Sequence, residues 1–225
     1  KDQGVISGIS IAKRIFRHLD PKAKIEVKIK DGEDVKYGEV AFYLECNSQA
    51  LLKGERLALN TMQRLSGIST LSKQFQKEVE GYNVQILDTR KTTPLLRFLE
   101  KWAVAIGGCT NYRDGLYDWI MIKDNHIDAA GSITKAIKKT NKYLKINKLD
   151  LGITVEVRNI KELKEVMDVG KVTRIMLDNF KIGDIKKALN IINGRFESEV
   201  SGGVRLNVVK SLAKTGVNFI SVGAL

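Results

Sequence analysis

From residue 84 onward the chain repeats one unit: a short apolar run that ends in polar or charged residues, then a helical or loop segment. The runs are Val84–Asp88, Trp119–Lys123, Ile153–Glu156, Arg174–Asp178, Arg195–Glu199 and Asn218–Val222, with amphipathic stretches such as Ile160–Val169 and Ile182–Ile192 between them. Strands that alternate with helices in this way must run parallel, because each crossover carries the chain back to the same end of the sheet. Six or seven such units predict a closed α/β barrel, whose active-site rim lies at the carboxyl ends of the strands. An open doubly wound sheet is the alternative. It is disfavoured because no G-x-G-x-x-G follows the first strand, and because carboxylates and lysines recur at the strand ends.

Residues 1–79 read differently and predict a smaller α/β domain ahead of a barrel domain spanning 80–225. Ile9, Ile11, Ala12, Ile15 and Phe16 fall at helical spacing within Gly8–Leu19, and Asp20-Pro21 stops that helix. Ile25–Lys30 alternates as a strand, and Asp31-Gly32 is a turn signal. A long helical region runs from Ser48 to about Val79, with an interruption expected near Gly67.

Hydrophobic residues at 43% and charged residues at 28% are those of a globular protein and exclude disordered or fibrous classes. No apolar run is long enough for a bilayer, and no signal-peptide pattern opens the chain. The two cysteines, Cys46 and Cys109, form no paired or metal-ligand spacing, which fits a reducing compartment, and two histidines argue against a zinc cluster. A cytoplasmic location is expected. The chain has no starting Met, is expected to be a fragment, and leaves a targeting segment open.

The net charge of +12 admits nucleic-acid or membrane binding, a solvated basic surface, or convergence of cations on an anionic small substrate. The lysines are spread through amphipathic segments such as Lys135–Lys148 with few aromatics between them, which favours the solvated surface and no nucleic-acid or membrane partner.

The motifs at the strand ends narrow the chemistry. Asp88-Thr-Arg-Lys-Thr-Thr-Pro94 aims Arg90 and Lys91 from one rim position, a planar fork and a point charge suited to carboxylate or phosphate. A solvated turn before a helix, with Pro94 in its first turn, is the plainer reading. Asn111-Tyr-Arg113 and Ile122-Lys-Asp-Asn-His126 add polar groups at the next positions. Lys123 either faces a cavity or pairs with a rim carboxylate such as Glu156, and His126 is expected to be a hydrogen-bonded structural residue. Glu156 and Asp178 each close a strand. They suit Mg²⁺ bound mainly through a phosphate substrate, or balance the neighbouring cations. Ser201-Gly202-Gly203 and Gly223-Ala224 follow the last two strands, where glycines let backbone N–H groups approach a phosphate. Arg56 and Arg64 lie outside the barrel, as surface charges or as groups reaching a site across a boundary.

Taken in order, Glu55–Ile68, Asp88–Pro94, Ile122–Ile127, Met176–Asn179, Ser201–Gly203 and Ile220–Leu225 resemble the quinolinate phosphoribosyltransferases (nicotinate-nucleotide pyrophosphorylases) over nearly the whole chain. The resemblance implies an N-terminal α/β sandwich and a seven-stranded, TIM-like, phosphate-binding barrel, in a homodimer whose sandwich completes the other copy's site, with higher assembly left open. It implies that Arg56 is lent to the neighbouring subunit. Arg90, Lys91, Arg113 and Lys123 would bind substrate carboxylates and diphosphate, while Glu156 and Asp178 would face the ribose hydroxyls and Mg²⁺. Ser201, Gly202, Gly203, Gly223 and Ala224 would hold the 5′-phosphate. Family members also carry further residues before Lys1 and after Leu225, so part of the sandwich and a closing helix are expected to be missing.

This sequence has Tyr112 where the family usually has His, Cys109 and Leu95 where it has Gly, and Asn218 where it has Asp. Tyr112 still belongs to the expected substrate site, as a hydrogen-bond donor without positive charge. The implied activity is formation of nicotinate mononucleotide, diphosphate and CO₂ from quinolinate and phosphoribosyl pyrophosphate, with Mg²⁺ and no organic cofactor. Lys123, Glu156 and Asp178 are the expected catalytic residues. A phosphoribosyltransferase for another aromatic acceptor is the alternative that Tyr112 keeps open; a basic nucleic-acid-binding barrel is the alternative from a different class.

Overall fold

The computed structural model describes residues 2–225, which fall into two compact units. One comprises Lys1–Lys77, Thr92–Thr110 and Leu225; the other comprises Glu78–Lys91 and Asn111–Ala224.

The first unit begins with β1 (Gly4–Val5), α1 (Ile9–Leu19), β2 (Lys24–Val27), β3 (Asp34–Val35), β4 (Phe42–Glu45) and the long α2 (Ser48–Glu78), whose last residue belongs to the second unit. Strand β1 pairs with β3 and β2 with β4, both antiparallel. Ile9, Ala12 and Phe16 of α1 bury against Ala58 and Met62 of α2, with Ile25, Val27, Phe42 and Leu44 closing over them. The helices cross closely at Gly54, where an added Cβ would stand 2.8 Å from the Phe16 ring.

The break expected near Gly67 does not occur. Helix α2 runs unbroken for 31 residues, because the stripe Ala50, Gly54, Ala58, Met62, Leu65, Ser69, Ser72 and Phe75 stays buried throughout. Gly67 faces open space on the exposed side, so its weak helix propensity of about 1 kcal/mol is not reinforced by a packing defect.

The second unit starts with β5 (Gln85–Leu87). The next helix, α3 (Arg97–Ile106), returns to the first unit, although the sequence placed it with the barrel. Buried hydroxyl and carbonyl groups of α2 explain this. Ser69 Oγ donates to Ala103 O at 2.7 Å, Cys109 Sγ donates to Ser72 O at 3.2 Å, and Gly107 leaves no room for a Cβ beside Ser69 O. Pro94 lies in the turn before α3 rather than in its first turn.

The second unit continues through β6 (Ile120–Ile122), α4 (Asp124–Ala130), α5 (Ile133–Asn147), β7 (Ile153–Val157), α6 (Ile160–Val169), β8 (Arg174–Asp178), α7 (Ile182–Ile192), β9 (Glu197–Ser201), α8 (Leu206–Ala213) and β10 (Phe219–Ser221). Its six strands form one parallel sheet in the order β5-β10-β9-β8-β7-β6. Among the described residues there is no seventh strand joining β5 to β6, so the ladder has six strands where the resemblance implied seven. Alternate residues share a face. Ile153, Val155 and Val157 of β7 and Ile175 and Leu177 of β8 are buried on one side. Thr154, Glu156, Arg174, Met176 and Asp178 therefore share the other. Strand β9 starts two residues later than the sequence predicts, because Asn193 and Gly194 adopt left-handed conformations at the end of α7 and Arg195 N donates back to Ile192 O.

Among the described residues no helix is long and apolar enough to cross a membrane.

Candidate active site

The carboxyl ends of β5, β6, β8, β9 and β10 enclose a cavity of about 300 Å³. Lys123, just past β6, and Ser221, at the end of β10, line it together although three strands separate theirs in the sheet. In a flat sheet that separation would be about 19 Å, so the sheet is strongly curled and the cavity occupies its concave side.

Arg90, Lys91, Arg113 and Lys123 all line this cavity, together with Tyr112 and Ser201. Burial and the nearby Arg90 charge pull the Arg113 guanidinium below its ordinary pKa, while Tyr112, Asp118 and Glu199 pull the other way. A cavity with this much like charge favours a multiply anionic occupant. Arg113 Nη2 also lies 3.4 Å from Met121 Sδ.

The rim carboxylates stand beside these cations. Lys123 Nζ lies 3.4 Å from Glu156 Oε2, so the lysine both lines the cavity and pairs with the rim. Burial is the main reason the Glu156 carboxyl is held above its usual pKa; Lys123 opposes this and the Asp178 charge adds to it. Asp178 is pinned at both oxygens, Oδ1 accepting from Ser201 Oγ at 3.1 Å and Oδ2 from Asn179 Nδ2 at 2.7 Å. His126 is structural: its Nδ1 accepts the Lys123 N–H at 2.9 Å and caps α4.

Ser201 ends β9 and leads through Gly202 (φ 96°) and Gly203 (φ 61°) into the N-terminus of α8, which has no side-chain cap. A Cβ on Gly202 would fall 2.2 Å from Asn179 Oδ1, so the turn demands glycine there on two counts. Gly223 follows β10, and a Cβ there would meet the Lys91 side chain at 3.2 Å. The loop glycines, Lys91 and the α8 N-terminus thus share one end of the sheet, and helix N-termini and glycine loops favour anions. Ala224 is exposed beside Gly223.

Two arginines outside the sheet have separate fates. Arg56 is exposed on α2 and lines a recess of about 820 Å³ within the first unit, not the cavity just described. Arg64 is structural. Its Nη2 lies 2.8 Å from Glu100 Oε1 and 3.2 Å from Thr93 Oγ1, and the other Glu100 oxygen accepts the Thr93 N–H at 2.9 Å.

Sequence reasoning missed Thr89, Met121, Met176 and Ser221 as lining residues. Met121 and Met176 were within reach, since each lies two residues before a predicted site residue and so on the same face. A polar layer around Arg174 and Glu199, nearer the amino ends of the strands, gave no such signal. Tyr112 does line the cavity, but its hydroxyl pairs with Thr154 Oγ1 in that layer. Burial drives the phenol above its usual pKa and keeps it neutral.

Comparison with known proteins places this arrangement. Residues 1–66 match the family model described as quinolinate phosphoribosyl transferase, N-terminal domain, and residues 68–225 match that of the C-terminal domain. A Nicotiana tabacum protein named quinolinate phosphoribosyltransferase [decarboxylating] 2b, mitochondrial, is 46% identical over all of this chain and 68% of its own length. The crystal structure of nicotinate-nucleotide pyrophosphorylase from Ehrlichia chaffeensis is 42% identical, with a TM-score of 0.93 over 99% of this chain and 80% of that one. NadC from Streptococcus pyogenes is 34% identical, with a TM-score of 0.93 over 100% of this chain and 78% of its own.

Proposed function

The chain belongs to the quinolinate phosphoribosyltransferase family, and from that premise we propose that it joins quinolinate to the phosphoribosyl group of phosphoribosyl pyrophosphate, giving nicotinate mononucleotide, diphosphate and CO₂ for NAD synthesis. The observation that carries this reading is the convergence of Arg90, Lys91, Arg113 and Lys123 on one cavity beside the Glu156–Asp178 pair and the Gly202–Gly203 loop. Quinolinate brings two carboxylates and its partner several phosphate charges, and a cationic cavity holds both in one place.

In this reading the pyridine nitrogen forms a bond to the anomeric carbon as the carbon–oxygen bond to diphosphate breaks, the electron pair leaving with diphosphate. Positive charge develops at the sugar, and Glu156 and Asp178 are placed to stabilise it electrostatically. Asp178, fixed by Ser201 and Asn179, needs little reorganisation to do so. The cations orient the two anions for in-line attack, which is where most of the rate gain lies when no covalent nucleophile is used. The bond to the carboxylate next to the ring nitrogen then breaks, CO₂ departs, and the quaternised nitrogen stabilises the electron pair until a proton replaces it.

Glu156 and Asp178 fit Mg²⁺ as hard oxygen donors. Among the described residues no cluster of three or more His, Cys, Asp or Glu forms a protein cage, so the diphosphate would supply the remaining ligands. When bound, the ion would neutralise charge on the leaving diphosphate. We extend the reading to a homodimer in which Arg56 of one copy serves the cavity of the other, supported by its exposure on α2. A cytoplasmic location is our reading, to be checked by fractionation.

The test is turnover of carboxyl-labelled quinolinate with phosphoribosyl pyrophosphate and Mg²⁺. Labelled CO₂ together with nicotinate mononucleotide, abolished in Lys123→Ala, is expected. A folded protein that binds phosphoribosyl pyrophosphate but releases no CO₂ would turn the search to other aromatic acceptors.

A further inference from the structure

A polar layer lies toward the amino ends of the strands. Arg174 opens β8, and the sheet register sets it beside Thr154 of β7 and Glu197 of β9. Its Nε donates to Glu197 Oε2 at 3.0 Å and its Nη1 to the fully buried Glu199 Oε2 at 3.2 Å. The guanidinium carbon stands 3.6 Å from the centroid of the Phe219 ring, 5.0 Å from that of Tyr112 and 5.4 Å from that of Trp119. Two carboxylates and three rings thus fix a cation that is only 7% exposed.

Tyr112 joins this layer to the cavity. Tyr112 lines the cavity, and its ring rests against the Arg174 cation and meets Trp119 edge-on, with centroids 5.9 Å apart. Its hydroxyl is engaged by Thr154 Oγ1, which also accepts the Trp119 Nε1–H at 2.8 Å. Glu199 ties the same layer to the neighbouring β10, because Ser221 Oγ donates to its other oxygen. For the phenol to swing into the cavity, it would have to leave Thr154 and tilt off the guanidinium, giving up two buried interactions.

We propose that Arg174 is a positioning residue for the aromatic acceptor: it holds the Tyr112 ring as a wall of the cavity with the hydroxyl turned to Thr154, so the acceptor meets Tyr112 as a ring and not as a hydrogen-bond donor. The acceptor's carboxylates are then left to the cavity's cations, while Tyr112, Met121 and Met176 form the surface for its ring. Arg174 itself touches no substrate. It acts through Tyr112, and removing it frees the ring without removing any group that binds phosphoribosyl pyrophosphate.

The inference rests on the proposed function, and a double-mutant cycle with quinolinate as acceptor separates the two. Wild type is assayed first; absence of quinolinate turnover overturns the functional reading and this inference with it. Where wild type turns over, Arg174→Met and Tyr112→Leu are each expected to raise the KM for quinolinate about tenfold, with the KM for phosphoribosyl pyrophosphate unmoved. The double variant should also stay near tenfold, because both changes remove one wall. Arg174→Lys, which keeps the cation, should recover part of the loss and serves if Arg174→Met does not fold. Multiplying effects in the double variant, or equal rises in both KM values, would overturn the positioning role alone. A wild-type crystal structure with bound quinolinate reads the same point directly: a Tyr112 hydroxyl bonded to a quinolinate carboxylate rather than to Thr154 overturns it.

Discussion

Lys123 and Glu156 face each other across 3.4 Å at the ends of neighbouring strands, the lysine nearly half exposed and the glutamate 11% exposed. Lys123 lowers the Glu156 pKa, yet burial and Asp178 keep it above its usual value, so the pair does not fully offset the burial of the carboxylate. A carboxyl whose folded pKa is raised binds its proton more tightly in the folded state. Its contribution to stability is therefore fully present below the unfolded pKa and is lost as pH rises through the folded one. Glu156→Gln should accordingly melt at a higher temperature than wild type at neutral pH, with the gap closing as pH falls through the carboxylate range. Turnover should drop by about a hundredfold or more, as expected for loss of preorganised charge. Calorimetry across pH checks the first part; an unchanged or lowered melting temperature at pH 7 would refute the burial argument.

Gly202 and Gly203 separate backbone strain from steric exclusion. Both have positive φ, but a Cβ on Gly202 would collide with Asn179 Oδ1 at 2.2 Å, whereas one on Gly203 would meet nothing within 4 Å. Gly203→Ala should therefore be destabilised by about 1 kcal/mol, the cost of left-handed backbone alone. Gly202→Ala must also push Asn179 away and so release Asp178 from one of its hydrogen bonds. Its KM for phosphoribosyl pyrophosphate should rise at least about tenfold above that of Gly203→Ala. Equal kinetics in the two variants would show that Asn179 can move aside without consequence.

What could be read from the sequence followed from periodicity, and what could not followed from contacts between distant segments. Helices α6 and α7 lie where their apolar spacing places them, at Ile160–Val169 and Ile182–Ile192. Arg90, Lys91 and Lys123 were legible because each follows an apolar strand, and strand ends point to one rim; Arg113 follows no strand and was placed by the resemblance. Arg174 was not, because it begins a strand, and a leading arginine reads as a solvated terminus unless Glu197, Glu199 and three rings are known to surround it. The placement of α3 in the first unit was hidden for a similar reason: it depends on the Ser69 hydroxyl and the Ser72 carbonyl, groups of α2 that meet a distant segment. Arg64 was ambiguous until Glu100, 36 residues away, proved to be its partner.

Leu95 offers a stability gain. It is fully exposed, with φ 67°, in the turn before α3. A leucine in left-handed backbone is strained by roughly 1–2 kcal/mol, and no buried contact compensates for it. Glycine removes the strain but loses about 0.4–1 kcal/mol through greater unfolded-state freedom, so Leu95→Gly should stabilise by about 0.5–1 kcal/mol. Leu95→Pro, whose ring demands negative φ, should destabilise by more than that. Urea denaturation of the variants beside wild type decides this, and a destabilised Leu95→Gly would mean that the side chain makes contacts in solution.

The proposed sharing of Arg56 between copies predicts a complementation that no single-chain site can give. Arg56→Ala and Lys123→Ala should each be nearly inactive alone. In a mixed dimer, the site containing wild-type Lys123 would receive wild-type Arg56 from the other copy and would work, while the second site would lack both. Random reassortment of equal amounts makes half the dimers mixed, each with one working site of two, so activity should return to about one quarter of wild type. The measurement is activity after co-refolding or co-expression, against each variant treated in the same way. Recovery near that level supports an arginine contributed across the dimer; no recovery, with mixed dimers demonstrated by differential tagging, would place Arg56 outside the shared site.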